Sequence, residues 1–134
     1  MLVTTKGRYA MRLMIYVSCF PDRKVALREV AENEGISLKY LEQLARDMVT
    51  AGLLKSVRGH GGGYFLARPA DEISAGDILR AVEGTTIPVA CAALEKDGPK
   101  CPREDKCSTI EFWAGLDNVI EQYVDNVSLA SLSA

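Results

Sequence analysis

One run constrains this chain more than any other. Arg58-Gly59-His60-Gly61-Gly62-Gly63 stands between two short apolar stretches, Leu53 to Val57 and Tyr64 to Ala67. Four glycines in five positions permit positive φ and a tight turn, so the segment reads as a β-hairpin. It does not read as a nucleotide loop. The last glycine of a dinucleotide fingerprint is replaced by Tyr64, no helix starts there, and no Lys-Ser/Thr pair follows.

The hairpin is preceded by helical patterns. Tyr9, Leu13, Tyr16, Val17 and Phe20 recur at helical spacing, Met14 widens the stripe, and Pro21-Asp22-Arg23 stops it. Cys19, among these apolar residues, is expected in the core. Leu27, Val30 and Ala31 open a short second helix. Glu34-Gly35 breaks it, because glycine readily takes the left-handed conformation of a C-cap. Ser37 is placed to cap a third helix, with Leu41, Leu44, Ala45 and Met48 facing inward and Gly52 at its end.

After Arg68-Pro69, the sequence Ser74-Ala75-Gly76-Asp77 resembles a capping box and predicts a fourth helix from about Ala75 to Glu83, closed by Gly84. Residues 85–109 are rich in Pro, Cys and charge, show no period, and read as a loop. Trp113, Leu116, Ile120, Tyr123 and Val127 then follow at spacings of three and four, with Phe112 and Val119 broadening the stripe. That predicts a long amphipathic helix whose apolar face is too broad for solvent, so a partner should cover it. The expected fold is mainly α with a small β-hairpin. A winged helix-turn-helix domain spans 1–84, a cysteine-bearing loop 85–109, and a dimerisation helix and tail 110–134.

At 134 residues the chain holds one ordinary domain with a core large enough to need no disulfide. No apolar run approaches the roughly 18 residues of a membrane span. Leu13 to Phe20 faintly mimics a signal peptide, but Pro21-Asp22-Arg23-Lys24 is no cleavage site, and a cytoplasmic protein without membrane contact is expected. The net charge of −2 hides an asymmetry. Residues 1–69 hold 11 Lys+Arg against 6 Asp+Glu, a balance of +5, and residues 70–134 hold 5 against 12, a balance of −7. A basic first half suggests a polyanion partner.

Helix, glycine turn, capped helix and glycine-rich hairpin, in that order, make a winged helix-turn-helix. The outward face of the third helix carries Ser37, Lys39, Tyr40, Gln43, Arg46 and Thr50. Lys39, Gln43, Arg46 and Thr50 form one stripe, three or four residues apart. Gln pairs with adenine edges, and Ser, Tyr, Lys and Arg hold phosphates or bases. A solvated helix face also carries such residues, so the hairpin matters: Arg58 and His60 sit at its tip, and an Arg on a thin wing suits a narrow minor groove. No nucleophile–base pair is evident, and the single histidine lies on the wing, which argues against an enzyme.

Cys91, Cys101 and Cys107 cluster in the aperiodic loop, shaped by Pro88, Gly98, Pro99 and Pro102. Cytosolic cysteines seldom form disulfides, so metal or redox chemistry is expected. Thiolates suit an iron–sulfur cluster or zinc, and redox thiols remain open. Three cysteines are one ligand short of four. Glu104, Asp105 and Glu111 are local candidates, as are a partner's carboxylate and an exogenous thiol.

Several motifs together resemble the IscR and NsrR type of bacterial regulator (the Rrf-two superfamily). They are Thr5-Lys6-Gly7-Arg8-Tyr9-Ala10, Gly35-Ile36-Ser37-Leu38-Lys39-Tyr40-Leu41-Glu42-Gln43-Leu44, Gly52-Leu53-Leu54, Ser56-Val57-Arg58-Gly59-His60-Gly61-Gly62-Gly63-Tyr64, the three late cysteines and Phe112-Trp113. The resemblance covers nearly the whole chain. It implies a homodimer on a palindromic operator in double-stranded DNA, with Ser37, Tyr40, Gln43, Arg58 and Gly59 touching DNA and Glu42 discriminating operator classes. It also implies an iron–sulfur cluster on the three cysteines, 2Fe–2S ahead of 4Fe–4S. Two positions depart from the pattern: Ile110 stands where IscR-type members carry a histidine ligand, and Arg8 where NsrR-type members carry an acid. A thiol-redox, zinc or partner-protein signal is the alternative reading, and a cluster scaffold or electron carrier a more distant one.

Overall fold

The computed structural model describes residues 3–59, 61–89, 94, 102–103 and 106–133. Helix α1 (Thr5–Ser18) forms where the apolar stripe predicts it and buries Ala10, Leu13, Met14 and Val17. Its first turn has no side-chain cap of its own. Glu83 supplies one from the far end of the fold, accepting hydrogen bonds from the Thr4 N–H at 3.0 Å, the Thr4 hydroxyl at 2.6 Å and the Gly7 N–H at 2.9 Å. Burial opposes ionisation of Glu83, but these donors and nearby Lys6 outweigh it and hold the carboxyl below its ordinary range. Cys19 is exposed, a correction to its expected core position. It is the C-cap residue of α1 and lies past the buried stripe.

Helix α2 (Leu27–Glu34) ends at Gly35, whose φ of 66° lets the chain reverse. Glu29 ties α2 to α1: it takes both Arg23 guanidinium nitrogens at 2.7 and 3.0 Å, the Ala26 N–H at 3.1 Å and the Tyr16 hydroxyl at 3.1 Å. The Arg23 hydrogen bonds are the main reason its carboxyl is held down at about 2. Ser37 caps α3 (Leu38–Thr50) by accepting from the Tyr40 N–H at 3.2 Å. Leu41, Leu44, Ala45 and Met48 are the buried face of α3, as the spacing predicts.

Strands β1 (Leu54–Val57) and β2 (Gly63–Leu66) pair antiparallel with Leu54 opposite Leu66 and Val57 opposite Gly63. A third segment joins on the other side of β2, where Val25 and Tyr64 exchange N–H···O bonds of 2.9 Å. A short 3-10 helix (Ala70–Glu72) leads to α4 (Ala75–Glu83). The capping box is present: Asp77 N–H donates to the Ser74 hydroxyl and Ser74 N–H to the Asp77 carboxylate, each at 3.0 Å.

Helix α5 (Ile110–Asn126) is followed by α6 (Leu129–Leu132), which the sequence reading did not anticipate. The tail crosses back onto the first half of the chain. Ala75 N–H donates to Val127 C=O and Leu129 N–H to Ile73 C=O, both at 2.8 Å. Leu129 is fully buried in the main core beside Leu13, Met14 and Ile78. The segment after α5 thus contributes Leu129 to the same core cluster as α1 and α3. A second, smaller cluster packs Ile120 and Val124 of α5, and Val127 just after it, against Ala75 and Leu79 of α4. Gly76 allows this approach, since a Cβ there would lie 2.1 Å from an Asp125 carboxylate oxygen. No helix among the described residues is long and apolar enough to cross a membrane.

Candidate nucleic-acid interface and cysteine segment

Helix α3 buries Leu41, Leu44, Ala45 and Met48, which turns its polar stripe outward, and Leu38 and Val49 are exposed with it. Ser37, Lys39, Glu42, Gln43 and Arg46 are exposed, while Tyr40 is half-buried. The Tyr40 ring stands edge-on against Tyr9 of α1, centroids 5.6 Å apart. Ser37, Lys39, Tyr40 and Gln43 line one shallow pocket of about 150 Å³. Glu42 and Arg46 line another of about 410 Å³ together with Ser56 and Tyr64 of the hairpin. The helix face therefore runs on into the wing. Arg58 and Gly59 are exposed where β1 ends, with φ of 107° at Gly59 and 73° at Gly61. His60 lies outside the described residues.

The charge of this face is uncommitted. Among the described residues the ion pairs are Arg12–Glu34, Arg23–Glu29, Arg68–Asp77 and Arg80–Asp125. Lys39, Arg46 and Arg58 belong to none of them. Exposed cations outside those ion pairs are available to phosphates and base edges.

Of the three clustered cysteines, Cys91 and Cys101 lie outside the described residues. Cys107 lies just before α5, partly exposed. Its sulfur is 3.5 Å from the Thr109 hydroxyl. The Trp113 indole N–H donates to that same hydroxyl at 3.1 Å, leaving the hydroxyl proton free for the sulfur. Thr109 is the main cause that holds the Cys107 thiol below its ordinary pKa, with the Ile110 N–H and Arg103 adding to it and burial opposing. A thiol so supported is a competent metal ligand or redox group, and thiolates as a class suit iron–sulfur clusters or zinc. Among the described residues no three His, Cys, Asp or Glu side chains converge as a metal site. Thr109 was missed from the sequence. Its signal was a hydroxyl residue two positions after a cysteine and immediately before a helix.

The expected dimer stripe is divided by the structure. Ile120 and Val127 turn to the chain's own second cluster. Trp113 is half-buried and bonded to Thr109. Leu116 and Tyr123 stay exposed at 36% and 71%, alongside Phe112 at 64% and Val119 at 62%. Spaced four, three and four, these last four residues make one apolar seam along α5.

A family model described as Rrf2, iron-dependent transcriptional regulator, matches residues 3–134. The HTH-type transcriptional regulator IscR of Yersinia enterocolitica is 39% identical over 133 residues, covering 98% of this chain and 79% of its own length. Among solved structures, CymR, the global cysteine regulator of B. subtilis, is similar with a TM-score of 0.79 at 33% identity, over 99% of this chain and 96% of its own. T. potens IscR gives 0.76 at 35% identity, over 98% of this chain and 85% of that one. The helical architecture with a two-stranded wing is shared with these regulators. The chain belongs to the Rrf2 family of transcriptional regulators, proteins that act on DNA and are not enzymes.

Proposed function

We propose that this regulator binds a palindromic operator as a homodimer in the cytoplasm and reports cluster supply, oxidants or nitric oxide through an iron–sulfur cluster on Cys91, Cys101 and Cys107. The observation that carries the reading is the place of Cys107. It stands at the root of α5, its thiol favoured as thiolate, and α5 bears the exposed seam of Phe112, Leu116, Val119 and Tyr123. A sensor there is joined to the surface that would set the separation of two winged units, which must lie about one DNA turn apart. The description of the family as iron-dependent supports the same signal. When bound, the cluster supplies a centre sensitive to oxidation and nitric oxide; Cys91, Cys101 and Cys107 would hold it. Ser37, Lys39, Tyr40, Glu42, Gln43, Arg46, Arg58, Gly59 and His60 would meet the DNA.

Anaerobic isolation with iron and sulfide analysis, followed by operator binding with and without the cluster, tests this reading. The expected protein is brown, loses its colour when any one of the three cysteines becomes Ser, and keeps it in Cys19→Ser. A second reading, a thiol switch on the same DNA-binding frame, is favoured by the lowered Cys107 thiol and by the likeness to CymR, which is named as a cysteine regulator. Colourless protein after anaerobic reconstitution, with all three thiols titratable, would select it.

A further inference from the structure

The wing carries a cation that the hairpin itself does not supply. Lys24 belongs to the segment that pairs with the outer edge of β2 through Val25 and Tyr64. Its stem lies against Gly63, where an added Cβ would be 3.3 Å from the Lys24 Cβ, and its ammonium lies by Gly61, where an added Cβ would be 3.7 Å from Nζ. Lys24 is exposed and takes part in no ion pair among the described residues. The nearest acid in sequence that could neutralise it from α2, Glu29, is already occupied by both nitrogens of Arg23. The hairpin turn carries glycine at Gly59, Gly61, Gly62 and Gly63, with His60 between the first two. Positive charge therefore flanks that turn from two sides, Arg58 from β1 and Lys24 from the third segment.

We infer that Lys24 is a DNA-backbone contact of the wing, holding a phosphate beside the groove that Arg58 faces. The inference rests on the DNA-binding reading and assigns a residue to it. An ammonium on a flexible stem is a strongly hydrated point charge, suited to a phosphate and poor at reading a base edge. The glycine turn lets the duplex approach closely enough for a lysine anchored behind it to reach the backbone. Gly63 keeps the Lys24–Val25 segment close to β2, since an added Cβ there would lie 2.8 Å from the Val25 carbonyl oxygen.

The test compares wild type with Lys24→Met, which keeps the stem, Lys24→Arg, which keeps the charge, and Lys106→Ala, which removes a charge next to α5. Binding to a fluorescent mixed-sequence duplex, and to a duplex selected by the wild-type protein, is followed across roughly 50–200 mM salt. Lys24→Met should weaken both duplexes by a similar factor, about eightfold per protomer bound near 0.1 M salt, and flatten the log–log salt slope by about one per protomer. Lys24→Arg should restore both, and Lys106→Ala should leave both at wild-type values. Unchanged affinity and slope in Lys24→Met, with wild type binding normally, overturns the inference. So does lost affinity accompanied by a lowered melting temperature and an unchanged slope, which would make Lys24 a packing residue. A wild-type protein that binds neither duplex overturns the DNA reading itself, and that outcome is distinct from the other two.

Discussion

Ser37 and Gln43 lie on the same face of α3 and are unequal as probes of it. The Ser37 hydroxyl already accepts the Tyr40 N–H, so its removal costs about 1 kcal/mol of helix capping before any DNA is present. Gln43 and Arg58 are exposed and make no side-chain hydrogen bond among the described residues. If Gln43 reads a base edge, Gln43→Ala should cost about 1–3 kcal/mol on the best operator and relax preference at one base pair per half-site, with thermal stability unchanged. Arg58→Ala should weaken binding without altering the melting temperature. Equal operator affinity of wild type and the double variant in a gel-shift titration would remove both residues from the interface. Local chemistry of this kind is legible in sequence, because a cap and the N–H that donates to it are three residues apart. The Glu83 cap on α1 was not legible: its partners are 76 and 79 residues away, and only the packing of α4 on α1 brings them together. Cys19 was misplaced for a related reason, since periodicity does not say where the last turn stops.

At the scale of elements, α5 shows what periodicity gives and withholds. A stripe broader than one packing face announces that a helix has two neighbours, but it does not say which residues face which. The structure assigns Ile120, Val124 and Val127 to α4 and leaves Phe112, Leu116, Val119 and Tyr123 outward. Two substitutions of the same chemistry should therefore behave differently. Leu116→Asp with Tyr123→Asp should leave the fold intact and yield a monomer by sedimentation, since buried unpaired charge is costly only in the covered state. Ile120→Asp should instead lower the unfolding midpoint of the protomer. A double variant that sediments as wild type does would sever the seam from assembly. The helices and wing were legible to within a residue at most ends, and the fourth helix at both. Helix α6 was not: four residues show no period, and it is held by contacts to α1 and the 3-10 helix rather than by its own propensity.

Across the whole molecule, the +5 and −7 halves of the sequence do not separate into two bodies. The acidic half crosses back: Glu83 of α4 accepts the Thr4 and Gly7 N–H groups at the start of α1, and Arg80–Asp125, at 2.7 and 3.0 Å, holds the end of α5 on α4. Leu129, from the last turn of the fold, fills the core of the first half. Leu129→Ala should cost about 2–5 kcal/mol, read as a lower urea midpoint with an unchanged m-value. A cost below the scatter of surface substitutions would mean the tail is not part of the cooperative unit. The stitched tail has a mechanical consequence. A helix of 17 residues is about 25 Å long. Its far end is pinned by Val127, Leu129 and Asp125, and its near end carries Cys107. Such a helix is a lever with its fulcrum on α4: a tilt of about 5° at the fulcrum sweeps the cysteine end through about 2 Å over that length. Changes at the cysteines would then be felt as a swing of the Phe112 end, while the winged unit behind the fulcrum keeps its shape.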